Sequence, residues 1–283
     1  MDVSVVVLTW EDYERTNGCV RSLPDGVEAI VVDNGSAEEI GDKLRAMCAE
    51  TGATYVRAET NLGYAKGMNL GARHATRSVV ILSNNDIVVH PDAIALLAAR
   101  LRDPAVGAAF PGVRGPDGSD QTAAGRFLTI GVGVAHATGL SLLFRGLRIV
   151  AAPERADWLS GPFVAIRRET FDAIGGVDES SFFYSEDLRL CWAVRQRGLR
   201  LAYLPEAVVT HEDDASAKRR WTDAEISRRQ TREFIRASRE LAGWRGRIAC
   251  GAYVLGVLAR AAVGRGEVRR AIARGAVEGL RAR

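Results

Sequence analysis

The sequence predicts an α/β fold: a mostly parallel sheet flanked by helices, followed by a helical extension at the carboxyl end. Three observations predict it. Short continuous runs of β-branched and aliphatic residues recur along the first half of the chain, as in strands buried on both faces. Segments of helical length alternate with them, which supplies the crossovers a parallel sheet needs. Each run ends in small or polar residues, and in open α/β sheets ligands bind beyond the carboxyl ends of the strands.

Residues 3–9 read as the first buried strand and 29–33 as the second. Between them, 13–23 has helical length and stops at Pro24-Asp25-Gly26, a turn signal. Residues 38–50 suit a helix, 53–57 a third strand and 67–75 another helix. Val79-Val80-Ile81-Leu82 is the next buried strand, followed by a helix over 91–102, a strand over 106–110 and a loop-rich stretch over 112–125. Residues 131–150 mix glycine with apolar residues and fit either a helix or an ordered insertion. Residues 158–166 read as a turn feeding a strand, 188–196 as a helix, and 201–205 with 207–210 as strand segments leading to His211. Three helices are expected at the end, over 223–239, 244–262 and 267–280.

The 283 residues allow one large domain or one domain with an appendage. A hydrophobic content of 47% with 26% charged residues excludes a disordered chain. The four cysteines, Cys19, Cys48, Cys191 and Cys250, form no Cys-x-x-Cys pair, which argues against a disulfide framework or zinc knuckle and for a reducing cytosol. No basic leader or cleavage site precedes the first strand, so secretion is not expected. The apolar run 248–259 is interrupted by Arg260, short of the ~20 residues that cross a bilayer, and no transmembrane helix is expected. Net charge is +3 overall, yet residues 215–283 carry +11 and residues 1–214 carry −8. A basic tail suits an anionic partner, or a solvated arginine-rich helical face.

The chemistry-bearing residues fall at the strand ends. Asp86, in Ser83-Asn84-Asn85-Asp86, is placed either to hold a divalent cation against a diphosphate or simply to make a turn. No Gly-x-Gly-x-x-Gly follows the first strand and no phosphate-loop signature occurs, which counts against dinucleotide enzymes and phosphate-loop hydrolases. Trp158 reads as core packing or as a sugar-stacking ring on a surface turn. Glu186 and Asp187 fall at a helix start, either as an ordinary acidic first turn or with Asp187 as general base and Glu186 supporting it. His211 precedes the acidic stretch 212–216, read as a site-closing loop. Its imidazole is either structural or completes a metal site begun by Asp86.

The ordered set Thr9, Val31-Val32-Asp33-Asn34-Gly35-Ser36, Asn61-x-Gly63-Tyr64-Ala65-x-Gly67-x-Asn69, Asn84-Asn85-Asp86, Trp158-Leu159-Ser160-Gly161, Gly175-Gly176-Val177-Asp178-Glu179, Tyr184-Ser185-Glu186-Asp187 and His211 resembles glycosyltransferase family 2. The resemblance runs from Val3 to about Ser216. It implies the glycosyltransferase A fold, a catalytic domain over 1–216 with a basic helical extension over 217–283, and an inverting enzyme using a nucleotide-sugar donor. It also implies that Thr9, Asp33 and Asn61 help hold base and ribose, with Glu11, Gly63, Lys66, Asn69, Asn85, Trp158 and Gly161 in the donor site. Asp86 and His211 would hold Mg²⁺ or Mn²⁺ on the diphosphate, and Asp187, supported by Glu186, would deprotonate the acceptor hydroxyl. Two departures stand out. Trp10-Glu11-Asp12 follows the first strand where relatives have an aromatic and Asn, and Arg189 stands where relatives have a further Asp, which would put a cation near the base. Within the family the pattern is most similar to bacterial rhamnosyltransferases of cell-wall or polysaccharide assembly. That implies a dTDP-L-rhamnose donor, with UDP- or GDP-sugars as alternatives, and a glycan, lipid-linked or small-molecule acceptor.

The location implied is cytoplasmic, with peripheral contact at the inner face of the cell membrane through the basic carboxyl-terminal helices. Their apolar faces are assigned to core packing or a homodimer. The competing class is a non-catalytic nucleotide-sugar sensor or scaffold of the same fold. Nucleic acid is not expected as a partner, since no nucleic-acid module or basic-aromatic interleaving is present.

Overall fold

The computed structural model describes residues 1–212, 221–263 and 266–282. The expected site-closing loop beyond Glu212, the boundary at 216/217 and the basic run 218–220 lie outside the described residues. Packing divides the chain into two compact units. The first comprises Met1–Thr122, Ser160–Glu186 and Ala193–Asp213; the second comprises Ala123–Leu159, Asp187–Trp192 and Asp214–Arg283.

In the first unit β1 (Val3–Thr9), α1 (Tyr13–Arg21), β2 (Glu28–Asp33), α2 (Glu38–Thr51), β3 (Thr54–Arg57), α3 (Tyr64–Ala72) and β4 (Val79–Asn84) follow the β-α alternation read from the sequence. They are joined by β5 (Ile87–Val89), α4 (Ala93–Arg100), β6 (Val106–Arg114), β9 (Phe163–Arg167), α7 (Arg168–Ala173) and β10 (Arg200–His211). The eight strands form one sheet in the order β3-β2-β1-β4-β9-β6-β10-β5. All pairings are parallel except those of β9 with β4 and β6 and of β5 with β10.

The apolar runs are buried as their continuity demands: Val5, Val6, Val7, Ile30, Val31, Val32, Ile81 and Phe163 expose none of their surface. Each such side chain contributes about 1.5–3 kcal/mol by leaving water. The segments expected at 201–205 and 207–210 are a single strand, β10, with a register shift against β6 between Leu204 and Val208. Pro205, which has no N–H for the ladder, lies within that irregularity.

The second unit holds β7 (Ala124–Gly125), α5 (Ile130–Thr138), α6 (Leu140–Leu143), β8 (Trp158–Leu159) and the closing helices α9 (Asp223–Leu241), α10 (Gly243–Val263) and α11 (Glu267–Arg281). The stretch 131–150, open between helix and insertion, is thus two helices and a 3-10 turn (Arg145–Leu147). Thr222 and Glu225 form a reciprocal capping box at the start of α9, which satisfies two otherwise orphaned N–H groups. Ile235, Ala249, Cys250, Val254 and Ala276 form the core between the closing helices. Residues Glu186–Gln196 make one helix, α8, whose residues are shared between the two units.

The expectation for the cysteines is resolved by burial. All four cysteines are free and buried, and desolvation pushes the thiols of Cys19 and Cys250 up to about 12 and that of Cys48 to about 11, so these three are inert. By length and composition alone α10, 21 residues long, would also pass as a membrane span, with a third of its most apolar stretch buried. Arg260 interrupts the apolar run but does not end the helix. A core helix of a globular unit has the same composition.

His136 on α5 stacks on Tyr253 of α10, with ring centroids 4.2 Å apart. Burial, aided by the charge of Arg260, lowers its pKa to about 4. The unfolded imidazole takes up a proton near pH 6.5 while the folded one stays neutral, so stability is complete above that pH and falls as the pH drops toward 4. We expect the second unit to lose on the order of 1–2 kcal/mol over this window, allowing for partial solvent screening. His136→Phe should flatten the dependence in melts monitored by circular dichroism, and an unchanged slope would contradict the assignment.

Candidate active site

Pairing with β1 sets the register of the sheet edge. Thr9 lies opposite Asp33 of β2, Asp33 opposite Arg57 of β3, and Leu8 opposite Asn84 of β4. The parallel order therefore brings together the carboxyl ends that the sequence marks as polar.

Asp33 is wholly buried. Its Oδ1 accepts from the Ser36 backbone N–H at 2.9 Å, and its Oδ2 accepts from the Tyr55 hydroxyl at 2.8 Å and from the Arg57 guanidinium at 2.6 Å. Arg57 also donates to the Ser36 carbonyl (2.9 Å) and to Glu38 (3.1 Å). Asp33 thus holds a tyrosine and an arginine in place at the edge. Thr9 and Asn85 face inward as well. The Thr16 hydroxyl lies 2.7 Å from that of Thr9, and the Asn85 amide reaches Thr16 at 3.2 Å and Thr9 at 3.4 Å. This network locks the loop after β4 to the first turns of α1.

Asn34 is a clamp that sequence reasoning named only as part of a motif. Its Nδ2 donates to Asn61 Oδ1 and to the Gly63 carbonyl, each at 3.2 Å, and its Oδ1 accepts from Leu62 N–H at 3.0 Å. Gly35 and Gly63 have φ of +79° and +82°. A Cβ on Gly35 would strike the Thr60 backbone, and one on Gly63 would strike the Phe182 carbonyl, so both geometry and space require glycine. Asn69 performs the same service elsewhere, bonding to both the N–H (2.9 Å) and carbonyl (2.8 Å) of Val177 and to Glu179 (2.9 Å). It braces the Gly175–Glu179 turn. Lys66 is exposed on α3. Glu11, at φ 55°, accepts from the Ala37 N–H at 2.8 Å, which places its charge at the amino end of α2.

β5 turns back along the end of β10, pairing Ile87 with His211. This brings residues far apart in sequence into contact: His211 Nε2 lies 3.3 Å from Asp86 Oδ1. Asp86 is 8% exposed, and its Oδ1 makes no hydrogen bond. A buried carboxylate oxygen beside an imidazole nitrogen fits two ligands of Mg²⁺ or Mn²⁺. Among the described residues no group of three or more His, Cys, Asp and Glu could hold a metal, so further ligands would come from substrate oxygens. Asp86 lines a cavity of about 300 Å³ with Arg15 and Glu212. Arg15 joins Glu212 at 2.7 Å and Asp12 at 2.9 Å, and the Asp12 hydrogen bond, ahead of Glu212, raises its pKa. Arg15 and Glu212 were not among the sequence candidates. The only signal was their adjacency to a helix cap and to His211.

Before α8, Tyr184 and Ser185 both take left-handed φ values, 77° and 72°. Non-glycine residues rarely adopt this conformation, and two in succession mark a turn held by its surroundings. Glu186 is buried, whereas Asp187 is partly exposed. In the second unit Arg189 is buried and its guanidinium pairs with Glu240 of α9. The cation expected near the base therefore has a carboxylate partner. Trp158 packs over Gly125 and donates its indole N–H to the Arg126 carbonyl at 3.3 Å. Gly161, in the first unit, is buried just before Pro162, whose carbonyl accepts from Asn84 N–H at 2.8 Å.

Comparison with known proteins adds to this geometry. The family model for glycosyl transferase family 2 matches residues 4–175. An N-acetylglucosaminyl-diphospho-decaprenol L-rhamnosyltransferase of Mycobacterium tuberculosis is 28% identical over 239 residues, covering 77% of each chain. A low-salt glycan biosynthesis hexosyltransferase of Haloferax volcanii is 23% identical, covering 71% of this chain and 64% of its own. Among solved structures, the mannosyltransferase PcManGT from Pyrobaculum calidifontis, in complex with GDP-Man and Mn²⁺, superposes with a TM-score of 0.59 at 19% identity. That match covers 99% of this chain and 80% of the other.

Arg57→Leu would leave the fully buried Asp33 carboxylate without its cation. We expect a destabilisation of about 3 kcal/mol, read as a lower urea midpoint. A loss below about 0.5 kcal/mol would mean that Tyr55 and Ser36 satisfy Asp33 unaided.

Proposed function

This chain belongs to glycosyl transferase family 2 and is a glycosyltransferase of the glycosyltransferase A fold; on that premise we propose that it moves L-rhamnose from dTDP-L-rhamnose to an acceptor hydroxyl, with inversion and with a divalent cation. The observation that carries the reading is the contact of Asp86 with His211 at the carboxyl edge of the sheet. The rhamnose donor and a glycan or lipid-linked acceptor are supported by the name of the mycobacterial relative, an L-rhamnosyltransferase acting on a diphospho-decaprenol.

Asp86 and His211 would hold Mg²⁺ or Mn²⁺. When bound, the cation would offset the negative charge that develops on the departing diphosphate. The residues of the chain do the rest. Asp33, with Tyr55 and Arg57, and the Asn34–Asn61–Gly63 clamp shape the pocket for base and ribose. The Asp187 carboxylate takes the proton of the acceptor hydroxyl. The oxygen so activated forms its bond to the anomeric carbon while the bond from that carbon to the phosphate oxygen breaks, the nucleoside diphosphate leaving with the electron pair. A single displacement inverts the anomeric centre. Partial exposure of Asp187 suits a base that must meet an incoming acceptor, and burial of Glu186 suits a supporting role.

Calorimetry with dTDP, UDP and GDP, with and without Mn²⁺, tests the donor site. Binding of dTDP that requires Mn²⁺ and weakens at least ten-fold in Asp86→Ala is expected; metal-independent binding, or preference for another nucleotide, would overturn that part of the reading. Asp187→Asn should retain nucleotide affinity and lose roughly 10²–10⁴-fold in transfer rate. Retained transfer would remove Asp187 as the base.

A further inference from the structure

Of the sixteen large hydrophobic residues exposed among the described residues, twelve belong to the second unit, all within 134–150 and 244–268. This concentration is distinct from the donor site and from the charged helical faces to which the sequence assigned membrane contact. Isolated exposed apolar residues are ordinary, but a contiguous patch marks a binding surface.

On α10 the exposed Trp244, Ile248 and Leu255 recur at spacings of four and seven and so share one face of the helix, and α5 packs against another side of it. A Cβ on Gly133 would meet the Ala249 carbonyl, and one on Gly256 would meet the His136 carbonyl, so the two glycines allow close approach. α6 follows α5 directly. Leu142, Leu143 and Phe144, on and just after α6, are 67%, 75% and 57% exposed, and Leu255 on α10 is 65% exposed. The stripe continues along α10 through Ile248 to Trp244. The opposite side of α10, with Cys250, Val254 and Val257, is buried in the core of the unit. One side of the helix is thus committed to protein, which favours lying along a surface over crossing it.

Charge selects the occupant. Residues 130–150 and 243–263 contain five arginines and no Asp or Glu. Arg245 and Arg247 are exposed at the amino end of α10, the guanidinium of Arg245 lying 5.4 Å from the Trp244 ring centroid. An apolar stripe about 17 Å long from Trp244 to Leu255, on a helix whose only charged residues are arginines with long aliphatic stems, matches the headgroup and acyl boundary of an anionic bilayer. A second copy of the chain would set like charges against each other. We propose that α6 and the exposed face of α10 seat the protein on the surface of an anionic membrane. The inference goes beyond the transfer reaction and holds whichever sugar is moved.

The test is flotation of the full chain with phosphatidylcholine vesicles, with and without phosphatidylglycerol. Binding is expected only when the anionic lipid is present, and it should weaken as NaCl is raised. The triple variant Leu142→Ser, Leu143→Ser, Phe144→Ser should partition at least ten-fold less while keeping its melting temperature and nucleotide affinity. If that variant does not fold, Arg245→Glu with Arg247→Glu provides the second arm and should abolish the preference for anionic lipid. The proposal is overturned if the parent stays in solution with anionic vesicles, or if folded variants bind as the parent does. Light scattering that shows a dimer in the parent and a monomer in the apolar variant would also overturn it, assigning the face to a second copy. Nucleotide calorimetry on the same samples separates any of these failures from a failure of the donor-site reading.

Discussion

The hydrogen-bond register of β1 governs the geometry of the site. Because β1 is paired in parallel on both sides, Thr9, Asp33 and Asn84 must end along one edge of the sheet. A slip of one residue would turn every side chain of the strand to the other face. Here both faces are buried, and Val5, Val6 and Val7 expose no surface to either side, so a slip would have to repack the core. Packing across the whole sheet therefore holds polar groups in position at its end.

At that edge the polar groups are mostly tied to one another. Asp33 is held by Tyr55, Arg57 and Ser36, Asn34 grips the 61–63 loop, and Asn69 grips the turn at Val177. A buried polar group left unpaired costs about 1–3 kcal/mol, so these networks fix loop conformations that backbone propensity alone would leave open. They give the edge a preorganised shape, which saves the cost of ordering loops on binding. The Asp86 oxygen facing His211 is buried without a hydrogen bond, 3.3 Å from the imidazole nitrogen. Its place beside the imidazole at the carboxyl edge of the sheet is the physical ground for reading it as a ligand position.

The second unit combines two kinds of surface. Inside it, Arg189 is paired with Glu240, which Arg236 also approaches at 3.3 Å, tying the middle of α8 to α9. Arg189 is buried and Glu240 is exposed, so removing Glu240 takes a carboxylate partner from a buried cation. Outside it, α6 and α10 present apolar residues that find no cover within the unit. One arrangement secures the helix that carries Asp187, and the other leaves a face for contact with the surroundings.

The sequence by itself determined the parallel α/β class, the order of the strands in the chain, and the polar ends from Thr9 through Asp86, since continuous β-branched runs and turn residues are local signals. It also marked His211 and the Glu186-Asp187 pair by their place after a strand and at a helix start. Only the tertiary structure decided which of these groups meet. His211 reaches Asp86 through the antiparallel pairing of β5 with β10 across more than a hundred residues, and no local pattern encodes such a pairing. The inward placement of Asn85, the bracing bonds of Asn69 and Glu11, the roles of Asn34 and Arg15, and the pairing of Arg189 with Glu240 likewise depend on hydrogen bonds between distant segments. The apolar face of α10 was hidden for a related reason: its composition suits a core helix equally well, and exposure is a property of packing that composition does not contain.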